Sequence, residues 1–172
     1  MMKIIIDKTI KGTILDIGGG GEVIIGRIYQ SQVTAIDNRQ EELDEVPEGF
    51  SKLLMDACNL KFEDNIFDNV SLFYTLMYID KNKHNKVIKE ASRVLKKGGE
   101  LYIWDTNINQ ANPFLVELNI DIGDSIVNTT YGVYKDNAFQ DKDYYKSICE
   151  ELGFYLIAES LDNDQFYMHL KK

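Results

Sequence analysis

TILDIGGGGEVIIG, residues 13 to 26, sets four consecutive glycines between an apolar, β-branched run and a second apolar run able to start a helix near Gly21 or Glu22. A glycine has no Cβ, so a turn built of them lets a ligand come close to the backbone and leaves helix N–H groups free to point at it. Two phosphate-binding patterns compete for such a turn. The pattern G-x-x-x-x-G-K-[ST] needs a lysine and a hydroxyl after Gly26, where Arg27 and Ile28 stand, and this nearly excludes it. The pattern G-x-G-x-x-G needs a third glycine where Val23 or Ile24 stands, which weakens the dinucleotide reading without removing it. What remains is a ligand that needs close backbone approach but no diphosphate, with Asp16 supplying a carboxylate at the mouth of the strand. Gly26, inside the following helix, costs about 1 kcal/mol relative to alanine, and close packing of helix on sheet accounts for it.

Working outward, short β-rich runs alternate with helical patterns, which is the signature of a mainly parallel sheet covered by helices. The strands are expected at 13–17, 32–36, 51–55, 69–74 and 100–105. Val87, Ile88, Ala91, Val94 and Leu95 make one face of a long helix, with Asp80 as its cap and KKGG (96–99) as its end. A last helix at 141–152 carries Tyr144, Tyr145, Ile148, Cys149 and Leu152 on one face, with Asp141 as cap and Gly153 as stop. FYLIAESL and QFYMHLK, joined by DND, then read as a hairpin that adds an antiparallel strand. Residues 106–140 break the alternation. Phe114, Val116, Leu118, Ile120 and Ile122 alternate with Leu115, Glu117, Asn119 and Asp121, GD offers a turn, and SIVNTTYGVY returns, so this segment reads as a loop and an inserted β-hairpin. The expectation is one domain over 1–172 with that insert inside it.

The chain has 172 residues, is 44% hydrophobic and carries a net charge of −9, enough for one substantial core. No cationic stripe is present, so long nucleic acid is not expected as a partner. No apolar run approaches membrane-spanning length, and a cytoplasmic location is expected. Cys58, Cys149, His84 and His169 make no metal-ligand spacing, so no metal site is assigned. Cys149 reads as a packed thiol. His84 is expected on the exposed start of the long helix and His169 on the last strand, and neither is assigned a catalytic role.

The motifs in order resemble the class I S-adenosylmethionine-dependent methyltransferases, from about Thr13 to the C-terminal hairpin. LDIGGGGE is similar to that family's first motif, VTAIDNRQEEL to the second and MDACNLKFEDNIFDNV to the third. LFYTLMYI and EASRVLKKGGELYIWD are similar to the segments around the fourth and fifth strands. The resemblance implies a Rossmann-like three-layer α/β sandwich with a seven-stranded sheet in the order 3-2-1-4-5-7-6, strand 7 antiparallel and helices on both faces. It implies S-adenosylmethionine as cofactor, with S-adenosylhomocysteine as product, held by Asp16, Gly18, Gly19 and Gly20 in the turn. Asp37 and Asn38 would meet the ribose, Asp56 and Ala57 the adenine, and Phe73 would complete the wall. Read alone, each of Asp37 and Asp56 is better explained as a residue that caps the next helix or turns the chain. Their placement at successive strand ends favours ligand binding.

Glu22 departs from the family pattern, which usually has glycine there. It either complements the helix dipole or confronts the methionine portion of the cofactor. The candidates to face the methyl group are Tyr78, Asp105, Tyr131 and Tyr134, with core or lid packing the simpler account of each tyrosine. Few residues precede the first strand, so the inserted hairpin is expected to shape the acceptor pocket. Its apolar face is to be buried over the cofactor or against a second copy in a homodimer. A small-molecule methyltransferase is the leading reading; a non-catalytic binding or regulatory module of the same fold, or a nucleotide-dependent oxidoreductase, are the alternatives.

Overall fold

The computed structural model describes residues 2–45, 48–109, 113–134 and 138–172. In chain order the elements are β1 (Met2–Ile5), β2 (Ile14–Ile17), α1 (Ile24–Tyr29), β3 (Val33–Asp37), α2 (Gln40–Asp44), β4 (Ser51–Leu54) and β5 (Phe67–Phe73). They continue with α3 (His84–Val94), β6 (Leu95–Thr106), β7 (Phe114–Asp121), β8 (Ile126–Val133), α4 (Lys142–Glu151), β9 (Tyr155–Asp162) and β10 (Gln165–Lys171). No helix among the described residues is long and apolar enough to cross a membrane.

β5 is buried almost throughout, as a central parallel strand covered on both faces must be. The main sheet runs β4-β3-β2-β5-β6-β10-β9. Neighbours from β4 to β6 are parallel, while β10 is antiparallel to both β6 and β9. The parallel strands therefore all end on one side, which brings Asp16, Asp37 and the residues after β4 and β5 together. Strand alternation sends Leu15, Ile17, Val70, Leu72, Leu101 and Ile103 to one face, where they pack on Val87, Ile88, Ala91 and Val94 of α3 and on Tyr145, Ile148 and Cys149 of α4. Ile14, Ala35, Phe73, Tyr102 and Trp104 take the other face.

Helices flank both faces as expected, α3 and α4 the first and α1 the second, where a three-stranded sheet of order β1-β7-β8 adds to the cover. The hairpin forms as its alternation predicts, and Phe114, Leu118 and Ile120 are buried against the chain's own core. Its apolar face is therefore not left for a second copy. The loops flanking the hairpin lie partly outside the described residues, at 110–112 and 135–137. β1 was not foreseen, because three isoleucines in a row carry no periodicity. It is a strand because β7 offers a parallel edge, with Ile4 opposite Ile120. The Tyr29 hydroxyl then ties the following segment to α1: it accepts from Thr9 N and Ile10 N and donates to Asp7 O.

Three local expectations also change. α3 ends at Val94, not in KKGG, since Leu95 is already extended and opens β6. Asp80 precedes a short 3-10 turn at Lys81–Lys83 and makes no side-chain cap. His84 is buried at 2% exposure, with Nε2 3.0 Å from both Leu76 O and Ile79 O. The last helix is as read: the Asp141 carboxylate accepts from Tyr144 N at 2.7 Å, and Gly153 follows with φ +89°.

Candidate functional site

The four-glycine turn crosses from β2 over the end of β3, with Gly18 N and Gly19 N both donating to Ile36 O at 2.8 and 2.9 Å. Gly18 has φ +74°, and a Cβ there would stand 2.4 Å from Thr75 Cγ2. A Cβ on Gly20 would stand 2.6 Å from Glu42 Cβ and 2.8 Å from Asp37 Oδ2. The glycines are thus demanded by side chains arriving from β5, β3 and α2, and by the open space beyond them. That space is a cavity of about 700 Å³, within the range of roughly 300–1,000 Å³ usual for small-molecule sites.

Every residue assigned to the cofactor from sequence borders this cavity: Asp16, Gly18, Gly19 and Gly20, then Asp37 and Asn38, Asp56 and Ala57, and Phe73. The capping account of the two strand-end aspartates holds as well. Asp37 Oδ1 accepts from Arg39 N at 2.9 Å and Asp56 Oδ1 from Cys58 N at 2.8 Å. One oxygen of each carboxylate is thereby fixed, which orients the other. Asp16 is almost wholly buried and accepts from Ser71 Oγ at 2.6 Å. Burial pushes its carboxyl up to about 7, with the nearby Asp37 charge adding to the shift.

A family model described as "Methyltransferase domain" matches residues 15–103, just over half of the chain. The chain belongs to the class I S-adenosylmethionine-dependent methyltransferases. It is 31% identical over 96 residues to sterol 4-C-methyltransferase strm-1 of Caenorhabditis elegans, a match covering 56% of this chain and 28% of that longer protein. Among solved structures, a Pyrococcus horikoshii protein superposes with a TM-score of 0.70 at 18% identity, over 94% of this chain and 83% of the other. A Methanosarcina mazei S-adenosylmethionine-dependent methyltransferase gives 0.66 at 19% identity, over 93% and 92%. The Burkholderia thailandensis 1,6-didemethyltoxoflavin-N1-methyltransferase, solved with its substrate and S-adenosylhomocysteine, gives 0.61 at 14% identity, over 93% and 70%.

Around this cavity the four candidates for the methyl end separate. Tyr78 and Tyr131 line the cavity; Tyr134 and Asp105 do not. Tyr134 is 71% exposed. Asp105 is fully buried behind the site, where it accepts from Met77 N, Thr106 N and Gln140 Nε2, while Gln140 Oε1 accepts from the Tyr145 hydroxyl. It is a strut for the turn that carries Tyr78. The Tyr78 hydroxyl accepts from Gly132 N at 3.1 Å, and burial raises its pKa, so it is a poor base at neutral pH. Tyr131 is pushed up further by burial and by the Glu22 charge.

Glu22 borders the cavity but does not lie in the first turn of α1. α1 begins at Ile24, its first turn holds no acidic residue, and its N-cap Val23 is left-handed. The Glu22 carboxylate takes a hydrogen bond from the Thr129 hydroxyl of β8, and its charge helps to raise the pKa of Tyr131 on the same strand. It fastens the hairpin across the glycine turn. Glu22→Gly is therefore expected to destabilise the protein by about 1 to 3 kcal/mol, the worth of charge-assisted bonds, and to expose β8 to limited proteolysis. Unchanged urea unfolding and unchanged cleavage would remove the fastening role.

Sequence reading also missed Tyr74, Thr75 and Thr130 in the cavity wall. Thr75 alone had a usable signal, as a short polar residue directly after an apolar strand; its hydroxyl donates to Ile17 O at 2.9 Å.

Two buried carboxyls, Asp16 and Asp105, are each held near 7 by burial, against an ordinary value of 3.8. Between those limits the folded chain keeps protons that the unfolded chain has lost, so stability falls as pH rises through this window and levels off above it. Asp68, held down to about 2 by Lys96 and Thr13, acts in the opposite sense but only at lower pH. The melting temperature should drop by on the order of 5 °C between pH 5 and 8, and Asp16→Asn should flatten that slope. A melting temperature that rose over the same range would contradict the burial account.

Proposed function

We propose that this chain transfers a methyl group from S-adenosylmethionine to a small-molecule acceptor. The observation that carries this reading is the single cavity in which the glycine turn, the β3-end carboxylate of Asp37 and the Asp56–Ala57 turn converge beside an aromatic end made by Phe73, Tyr78 and Tyr131. The cavity suits the cofactor in charge as well as shape. Six carboxyl groups line it against two cations, Arg39 and Lys83, and Arg39 is already paired with Glu42 at 2.7 Å. That balance favours a ligand bearing a sulfonium and an ammonium.

The bound cofactor supplies an electrophilic methyl, and its transfer to an acceptor lone pair returns the S–C electron pair to sulfur. The chain's own tasks are binding, alignment and exclusion of water. Asp37 would accept from the ribose hydroxyls and Asp56 from the adenine amino group, with the Ala57 N–H donating to the ring. Tyr131 and Tyr78 close the aromatic end, and neither is suited to act as a base. A small acceptor also fits the names of the relatives, one a sterol and one a toxoflavin-precursor methyltransferase.

Cys58 and Cys149 are unpaired, which suits a reducing cytoplasm, and the net charge of −9 disfavours nucleic acid. The dimer reading has lost its main support, because the hairpin's apolar face is covered within the chain. The test is calorimetry with S-adenosylhomocysteine and NAD, followed by labelled methyl transfer into the small-molecule fraction of a cell extract. Binding of the first ligand, little of the second, and label in small molecules are expected. Binding without transfer would favour a regulatory module, and preference for NAD an oxidoreductase.

A further inference from the structure

A second cleft, of about 360 Å³, lies on the α1 side of the main sheet between the segment Lys3–Ile10 and strands β6, β9 and β10. Its lining is unusually aromatic: Tyr29, Tyr74, Tyr102, Trp104 and Tyr167 all contribute. Tyr102 and Trp104 stand two residues apart on β6, so their rings leave the same face, nearly parallel with centroids 6.0 Å apart. Tyr167 is the register partner of Trp104 on β10, and its ring adds to the row at 5.0 Å. A planar ring entering here can extend that row or meet ring edges, both of which are favourable aromatic geometries. The rim is polar, with Asp7, Ser160 and Asp162.

One residue, Tyr74, borders both this cleft and the larger cavity. It is a tyrosine held in the left-handed region at φ +48°, a backbone state that bulky residues rarely adopt and that persists only where their surroundings enforce it. They do so from three sides. Its N–H donates to Trp104 O at 2.7 Å, its hydroxyl donates to Gln165 Oε1 at 2.5 Å, and its ring stacks on Tyr131 at 4.8 Å with the planes 9° apart. The strained backbone thus stands the ring as a partition between the two spaces.

We propose that this cleft is the acceptor pocket and takes a flat aromatic or heteroaromatic ring, with Tyr74 as the wall it shares with the methyl-donor cavity. The proposal rests on the reading that the larger cavity holds S-adenosylmethionine. Tyr74 is a positioning residue: turning its ring off Tyr131 joins the two spaces, and its bond to Gln165 sets where the acceptor's reactive edge stops.

The chain has a single tryptophan, Trp104, and it lines the cleft, so its fluorescence reports on this place, with the response to S-adenosylhomocysteine alone recorded as the reference because Trp104 also packs on Phe73 of the larger cavity. Caffeine and benzimidazole serve as flat, uncharged probes and cyclohexanol as a non-planar control. A saturable change with at least one flat probe, none with cyclohexanol, and persistence of the signal at saturating S-adenosylhomocysteine are expected. Ser160→Phe, which fills the rim, and Tyr167→Ala, which shortens the ring row, should each weaken the probe by about tenfold, a difference of about 1.4 kcal/mol. Circular dichroism checks that both variants fold. The bound probe should also inhibit methyl transfer in competition with the acceptor. No saturable signal, displacement by S-adenosylhomocysteine, equal response to cyclohexanol, or full affinity in both folded variants would overturn the proposal. Calorimetry of S-adenosylhomocysteine on the same samples tests the donor cavity separately, so failure of one reading is distinguishable from failure of the other.

Discussion

Asp37→Ala is expected to weaken S-adenosylhomocysteine binding by about 1.5 to 3 kcal/mol, on the order of ten- to a hundredfold, as measured by calorimetry. The expectation rests on how the carboxylate is held. Its Oδ1 is occupied by Arg39 N, and the backbone carbonyl of the same residue accepts from Met55 N at 2.8 Å, so both ends of Asp37 are fixed before any ligand arrives. Its Oδ2 lies against the Gly20 backbone, at the point where the turn passes closest. A carboxylate so preorganised spends little entropy on accepting from two ribose hydroxyls. Asp37→Asn keeps an acceptor for Arg39 and should fall between wild type and alanine. Because the alanine variant also loses a turn cap, its unfolding must be measured alongside. A variant that melts lower but binds normally would leave Asp37 a structural residue and move the ribose elsewhere.

The parts of this site legible in the sequence are those in which chemistry and local pattern coincide. Asp16 and Asp37 are readable because each sits at or near the end of an apolar run, and a parallel sheet brings such ends together whatever covers its faces. The glycines are readable as a close approach, although what approaches Gly18 is Thr75, a residue 57 positions on. Residues whose role is set from another element are not readable. Glu22 looks like a helix-start residue until β8 is laid over it; His84 looks exposed until the 76–79 turn folds onto its ring. Asp105 shows the same limit in the opposite direction. A carboxylate at the end of β6 has the right address for catalysis, but backbone amides and Gln140 take up its oxygens. Tyr74 gave no signal at all, since a positive φ at a tyrosine is imposed by Trp104, Gln165 and Tyr131 rather than by its neighbours in sequence.

The hairpin carries the other large effect. Alternation alone makes it look detachable, an insert whose removal would spare cofactor binding. The structure puts Leu118 and Ile120 at 0% exposure in one cluster with Ile6, Ile10 and Ile28, with Ile4 packed against it from β1. Cutting out the hairpin would therefore strip a core and leave β1 without its partner strand. A graded test is Leu118→Ala, which removes buried methyl groups and leaves a cavity; the expected cost is about 2 to 5 kcal/mol in urea unfolding. Leu115→Ala, on the opposite face at 51% exposure, should cost no more than about 0.5 kcal/mol. Leu118 pairs with Thr129 across the hairpin, and Thr129 bonds Glu22, so loosening the first slackens the wall over the glycine turn. At temperatures where Leu118→Ala remains folded, S-adenosylhomocysteine should bind more weakly than to wild type, while Leu115→Ala binds normally. Equal unfolding of the two variants would mean that the hairpin is not seated on the core. Normal binding by a destabilised Leu118→Ala would mean that it is seated but forms no part of the wall.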